Sequence, residues 1–405
     1  MQSRQSFLSS IQFPAILIGA FLLSGAAWGT SGKIVYSFAG GADGEYLDTE
    51  LVRDSAGNLY GTTVQGGTGS GTVFQVTPGG IHTVLYSFTG GADGGEPYKG
   101  VTLDPQGNLV GTAVTGGGGS CEGGCGVVFK LTKSGSAWTQ TVIHAFTGAD
   151  GSGPGSPVAI DKFGNVYGTT PTGGKYGVGT LYLLRPNGGA WKFYVIHTFT
   201  GGVDGAGGSA GRLLIDPKGN IYGVCTTGGL NGFGTVYEVS RVNGQIQFTT
   251  LYAFQDQPDG ALPYGGLVFD KAGNLYGTTY YAGANDVGTV YSLTRANGGW
   301  TEQVLYSFQG GADGSSPISS LVSDGHGSFY GTTSADGSSC GCGTIYKMTP
   351  TANGEWTESV VYRFPGAPGL GDAYNGIVTD GAGNFYGTTV SGGTANDGAI
   401  YEFTP

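Results

Sequence analysis

A chain of 405 residues with formal net charge −11 and only 11% charged residues suits neither nucleic acid nor an anionic membrane surface. Gly supplies 84 residues, yet 39% hydrophobic and 12% aromatic residues exclude a disordered low-complexity chain. Such a composition calls for a large apolar core cut by many tight turns.

The N-terminal segment stands apart. "MQSRQSFLSSIQFPAILIGAFLLSGAAWG" sets one charge, Arg4, before an apolar run from Phe13 to Leu23 and a tail of small residues. That layout predicts a secretory signal peptide over residues 1–29, cleaved near Ala27 or Gly29. The apolar run is short for a membrane span, and no cysteine follows it for lipid attachment. The mature chain is therefore expected in the periplasm or outside the cell, without membrane insertion and as a monomer.

From residue 30 to the end, one unit recurs seven times and leaves no room for a second domain. Its first marker is "VLYSF" and variants, whose Phe falls at 38, 88, 146, 199, 254, 308 and 364, giving repeats that start near 33, 84, 142, 195, 250, 304 and 360. Its second is a D-x-x-G turn opened by Asp54, Asp104, Asp161, Asp216, Asp270, Asp324 and Asp380. The fifth copy shows four strand-like runs: "GLVFD" (266–270), "NLYGTT" (274–279), "GTVYSLT" (288–294) and "EQVLYSF" (302–308). No segment keeps a helical period. Four antiparallel strands in each of seven units predict an all-β, seven-bladed β-propeller. With "GLVFD" innermost, the chain begins on an outer strand, "KIVYSF" (33–38), and ends on a third strand, "GAIYEFT" (398–404). The N-terminal strand should then complete the last blade and close the ring.

The most regular residues read as packing. The Tyr of "NLYGTT" (60, 167, 222, 276, 330 and 386) is expected between blades, and the next Gly where a neighbouring ring or backbone leaves no room for a side chain. Trp138, Trp191, Trp300 and Trp356 each precede the outer-strand Phe by eight residues. An even spacing puts both on one side of the strand unless a bulge intervenes, as a structural rim or as a platform for a ligand.

Candidate chemistry lies in two loop sets expected on one face. The loops leading into each blade carry Asp43, Asp93, Asp150, Asp204, Asp259 and Asp313, each before a Gly, with Tyr98, Tyr264 and Tyr374 close by. Carboxylates and tyrosines around a propeller mouth suit a polar sugar or Ca²⁺, although Asp-Gly is also a common turn dipeptide. The loops between second and third strands are glycine-rich and lack the Lys and following helix of a phosphate-binding loop. The four histidines have no zinc-ligand spacing, and no Ser or Cys sits in a nucleophile motif, so no catalytic residue and no metal ligand set is predicted. Cys121 with Cys125 and Cys340 with Cys342 are expected to form two local disulfides, leaving Cys225 a buried thiol.

"GNLYGTT", followed by "GGxxGxGTVF" and "VLYSF", resembles the GloVer tandem repeat of exported bacterial proteins, a family paired with varied C-terminal anchors and hence described as choice-of-anchor. The resemblance runs through the whole mature chain, implies export, and brings no activity with it. After "GAIYEFTP" no anchor segment is written. A weaker likeness links "GNLYGTT" to the "GNIYVAD" segment of NHL propellers. The expected function is an exported binding module for carbohydrate or a protein partner. The alternative is a carbohydrate-active enzyme, a polysaccharide lyase or hydrolase, with its site at the mouth.

Overall fold

The computed structural model describes residues 31–405 except 209, 210, 297, 337 and 339; the expected signal peptide lies outside the described residues. Seven sheets form a β-propeller, and a single 3-10 turn at Gly41–Asp43 is the only helical element among the described residues. Blades 1 to 6 occupy residues 52–87, 101–145, 159–198, 214–253, 268–307 and 315–363. Blade 7 combines 378–404 with 31–37. In blade 5 the strands run from the axis outward as Val268–Phe269, Leu275–Thr279, Thr289–Ala296 and Gly299–Ser307. Blade 6 has an extra short strand, Ser315–Pro317, where most other blades make an isolated bridge.

Ring closure follows the expected frame. Ser31–Ser37 pairs antiparallel with Ala399–Thr404, with Lys33 opposite Glu402 and Ser37 opposite Ala399. The final blade thus gains an outer strand from the opposite end of the described chain.

The repeated residues build the junctions between blades. The Phe ending each outer strand packs onto an aromatic ring in the third strand of the next blade, with centroids 5.0–5.7 Å apart at all seven junctions, from Phe38–Phe74 to Phe364–Tyr401. That ring lies across the Gly of its own "YGTT" strand. A Cβ on Gly277 would stand 2.5 Å from the Tyr291 hydroxyl, so no larger residue fits there. The first Thr of "YGTT" ties neighbours together: Thr278 Oγ1 donates to Ser319 O at 3.2 Å, and Thr388 Oγ1 donates to Thr49 O at 2.9 Å across the closing junction. The "D-x-x-G-N" turn is held by its carboxylate. Asp54 Oδ1 accepts from Ala56 N at 3.0 Å and Asn58 N at 2.8 Å, while Asn58 Nδ2 donates to Oδ2.

The tryptophans depart from the simple spacing rule. Outer strands carry a bulge: Phe129 faces Val142 but Val128 faces His144, so Ile143 is an extra residue. The bulge turns Trp138 and Phe146 to opposite sides. Trp138 packs back on Tyr60 of blade 1 (6.2 Å), whereas Phe146 packs forward on Tyr182 of blade 3 (5.3 Å). Trp356 likewise reaches back to Tyr276 (5.6 Å).

One junction position varies from blade to blade. Six residues before the outer Phe stand Gly32, His82, Gln140, Phe193, Phe248, Glu302 and Glu358, each set against the preceding blade. Phe193 stacks on His144 at 3.7 Å, Phe248 on His197 at 3.9 Å and His82 on Tyr36 at 4.6 Å. Gly32 leaves room for the Tyr362 ring, and Glu302 and Glu358 face the fields of Asp259 and Asp313.

Three outcomes follow from this architecture. Removing residues 31–37 bares the edge of Ala399–Thr404 and opens the ring, so Tm should fall by roughly 10 °C or more and aggregation should rise. A truncated chain that melts like the intact one excludes the closure as a stabilising contact.

The fully buried Tyr182 hydroxyl has no hydrogen-bond partner among the described residues, and blades 1 and 2 place Phe74 and Phe129 at that position. Tyr182→Phe should therefore raise stability by about 1 kcal/mol in denaturant titration, and a loss of that size would contradict the assignment.

Burial, then the Asp259 charge, pushes Glu302 up to about 7; burial and the Asp313 charge do the same for Glu358, with Arg363 opposing. The folded state holds these protons more tightly than the unfolded chain. Their contribution is full below the unfolded value and is lost as pH rises through about 7. Glu302→Gln/Glu358→Gln should flatten the fall of Tm between about pH 5 and 8. Parallel curves for variant and wild type would show that these carboxyls do not govern it.

Candidate functional site

Isolated bridges join the loop leading into each blade to the loop between that blade's second and third strands, as in Glu45 with Gln65 and Ala261 with Tyr281. Both loop sets therefore share one face. Within that face the candidate residues separate by radius.

The aspartates sit outward. Asp43 accepts from the Tyr36 hydroxyl (2.8 Å) and Ala39 N (2.9 Å), and Asp93 accepts from Tyr86 (2.9 Å) and Thr89 N (2.9 Å). Asp150 lies 3.0 Å from His144 Nε2 and Asp204 lies 2.9 Å from His197 Nε2. Asp259 and Asp313 repeat the arrangement with Tyr252 and Tyr306. Each carboxylate thus pins its loop to the outer strand just left, and the structure does not gather the six at the mouth. Gly369 stands at this place in the last loop. Among the described residues, no group of three or more His, Cys, Asp or Glu converges on one point.

The tyrosines sit inward. Three residues before Leu51, Val101, Leu267 and Ile377, which lead into the innermost strands, stand Asp48, Tyr98, Tyr264 and Tyr374. Tyr264 and Tyr374 line a 270 Å³ mouth cavity with Asp48, Lys99 and Asn375. Tyr264 meets Tyr280 edge to face at 5.4 Å. Burial raises the Tyr98 hydroxyl, helped by Glu96, Tyr46 and Asp48; burial raises Tyr374, helped by Asp372, Tyr280, Tyr46 and Asp48. Both phenols stay protonated donors at neutral pH, and both share Tyr46 and Asp48 as neighbours. Tyr46 and Tyr374 remain 47% and 40% exposed, enough to meet a ligand.

Two ion pairs cross the opening. Lys99 Nζ of blade 2 binds Asp48 Oδ1 at the entry to blade 1 and lies 3.4 Å from Asn375 Oδ1 at the entry to blade 7. Deeper, Arg212 at the entry to blade 4 spans the axis to Glu50 at the entry to blade 1, with Nη2 3.6 Å from Oε2. Its Nη1 donates to Thr102 Oγ1 and, at 3.3 Å, to Val158 O, which fixes the guanidinium. Glu50 and Gly376 line both the mouth cavity and a 470 Å³ channel walled by innermost-strand residues such as Leu103, Leu214 and Val378. These four charged residues were not candidates from the sequence. Their signal was available as departures from the repeat: Glu50 and Arg212 share a position that is Gly, Pro or Ser in the other blades, Lys99 one that is Thr, Ser, Gly or Asn, and Asp48 stands where three other blades have Tyr.

The backbone at the mouth is strained. Tyr46 (φ 61°), Glu96 (φ 54°), Leu262 (φ 55°) and Ser316 (φ 54°) take a left-handed conformation at matching loop positions where blades 3 and 4 use Gly153 and Gly207. Lys99 (φ 60°) is left-handed too. Such conformations in residues other than glycine cost about 1–3 kcal/mol each and persist where the surroundings hold them.

The cysteines lie on the same face. Disulfides join Cys121 with Cys125 and Cys340 with Cys342, while Cys225 is buried and free. No helix among the described residues is long and apolar enough to cross a membrane.

The fold is shared with distant proteins. A Bacteroides uniformis protein provisionally assigned as a 6-phosphogluconolactonase superposes with TM-score 0.53 at 12% identity, covering 82% of this chain and 88% of that one. An ancestral GH74 enzyme gives TM-score 0.55 at 12% identity, covering 89% of this chain and 47% of that one. The extracellular domain of a one-component system from B. thetaiotaomicron gives 0.52 at 9% identity, covering 90% and 39%. The chain thus spans less than half the length of the last two, and at these identities the likeness is one of fold alone. No curated protein matches the sequence. The Gloeobacter/Verrucomicrobia repeat profile matches residues 118–341, more than half of the chain; the chain belongs to that repeat family.

Proposed function

We propose that this is an exported binding module whose ligand is a carbohydrate held at the propeller mouth. The observation that carries the reading is that Tyr264 and Tyr374, from two different blades, line one cavity with the Asp48–Lys99 pair at the entrance of the axial channel, with Tyr98 in the field of Asp48. Tyrosine rings present flat apolar faces to sugar C–H groups and donate from their hydroxyls, while Asp, Asn and Lys supply matching acceptors and donors. The left-handed residues clustered in these loops support the same reading, because strain tolerated at one rim marks a place where side-chain position matters. The two local disulfides fit an oxidising compartment.

A second reading, a carbohydrate-active enzyme, is favoured by one observation: Glu50 faces Arg212 inside the channel, with side chains only 18% and 29% exposed. A cation beside a half-buried carboxylate is an arrangement that acid–base chemistry uses. Release of reducing ends or unsaturated sugars by the purified protein would select this reading over simple binding.

Binding is tested with a glycan array of the mature protein, with and without Ca²⁺. Tyr98→Ala/Tyr264→Ala should weaken the captured glycan by about tenfold or more and leave Tm nearly unchanged. Tyr276→Ala, which removes a ring buried between blades, should instead cost about 3–5 kcal/mol of stability. Glycan binding that survives loss of both mouth tyrosines would move the site elsewhere.

A further inference from the structure

We infer that the sugar taken at the mouth carries a carboxylate, docking between Lys99 and Arg212; this rests on the carbohydrate reading above. The chain as a whole is acidic, with 28 Asp and Glu against 17 Lys and Arg. Its mouth and inner channel wall nevertheless hold two cations, Lys99 and Arg212, facing the opening beside Asp48 and Glu50. A narrow opening with apolar walls focuses the field of such groups more strongly than open solvent does.

Arg212 is built for the task. Thr102 and Val158 hold Nη1, so the plane of the guanidinium is set before any ligand arrives. Its Nη2 is 3.6 Å from Glu50, a charge contact beyond hydrogen-bond length, and thus keeps donor capacity toward the channel. Lys99 lines the adjoining mouth cavity, bound to Asp48 and close to Asn375, with a third N–H left for a ligand. A singly charged carboxylate satisfies both cations. A phosphate would bring nearly two negative charges against Asp48 and Glu50, so the walls disfavour it.

The test is calorimetric titration of the mature protein with matched pairs of oligosaccharides: galactose against galacturonate, mannose against mannuronate and glucose against glucuronate, plus glucose 6-phosphate. For at least one pair the acidic member should bind about tenfold or more tighter, with the preference shrinking as salt is raised. Arg212→Gln should bring the acid-to-neutral ratio close to one, and Arg212→Lys should restore part of it. Lys99→Gln should lower the same ratio independently. Equal affinity within every pair, a ratio unmoved by Arg212→Gln, or tighter binding of the phosphate overturns the inference while leaving the carbohydrate reading standing. Failure of every sugar to bind overturns both.

Discussion

A single blade of this protein has two apolar faces and can bury neither by itself; each face needs a neighbour. The contact that meets this need is the forward step from an outer-strand Phe to a third-strand ring in the next blade, repeated at every junction with nearly constant spacing. In an open row, two such faces would remain bare. The pairing of Ser31–Ser37 with Ala399–Thr404 makes the row a ring and turns the last two free faces into one more junction. The rigidity of the mouth loops, and so any chemistry they carry, rests on that closure.

Much of this was legible because it is periodic. Phe, Asp and Gly recur at fixed places, and each recurrence answers a steric or hydrogen-bonding need common to all blades: the ring over Gly277, the turn capped by Asp54, the cross-blade hydroxyl of Thr278. The unread parts broke the period or depended on direction. Counting eight residues from Trp138 to Phe146 put them on one side of a strand, but the extra residue Ile143 reverses that parity, and no simple residue count announces a bulge. The aspartates were correctly seen as loop residues, yet their radius depends on the Tyr or His seven or six positions earlier, which draws them to the outer strand. Lys99 and Arg212 have partners, Asp48 and Glu50, that lie 51 and 162 positions away; the first pair joins neighbouring blades, and the second meets only across the closed ring.

The mouth is correspondingly lopsided. Blades 1, 2, 5 and 7 supply Asp48, Tyr98, Tyr264 and Tyr374, while blades 3 and 6 offer Gly155 and Ile318 at the matching position. A ring of near-identical scaffolds thus carries a site with no rotational symmetry, as expected where loops vary over a constant frame.

The variable junction position has a consequence of its own. A chain of near copies risks packing a blade beside the wrong sibling, the characteristic misassembly of repeat proteins. Here Phe193 matches the imidazole of His144, His82 the phenol of Tyr36, and Gly32 the oversized reach of Tyr362. Exchanging two blades would set Phe against Tyr–Asp pairs and Glu against His–Asp pairs. The seams therefore differ in kind, with Phe against His at two of them and Glu against Tyr–Asp at two others, and the order of the blades around the ring is written partly in side chains as well as in the chain's connectivity.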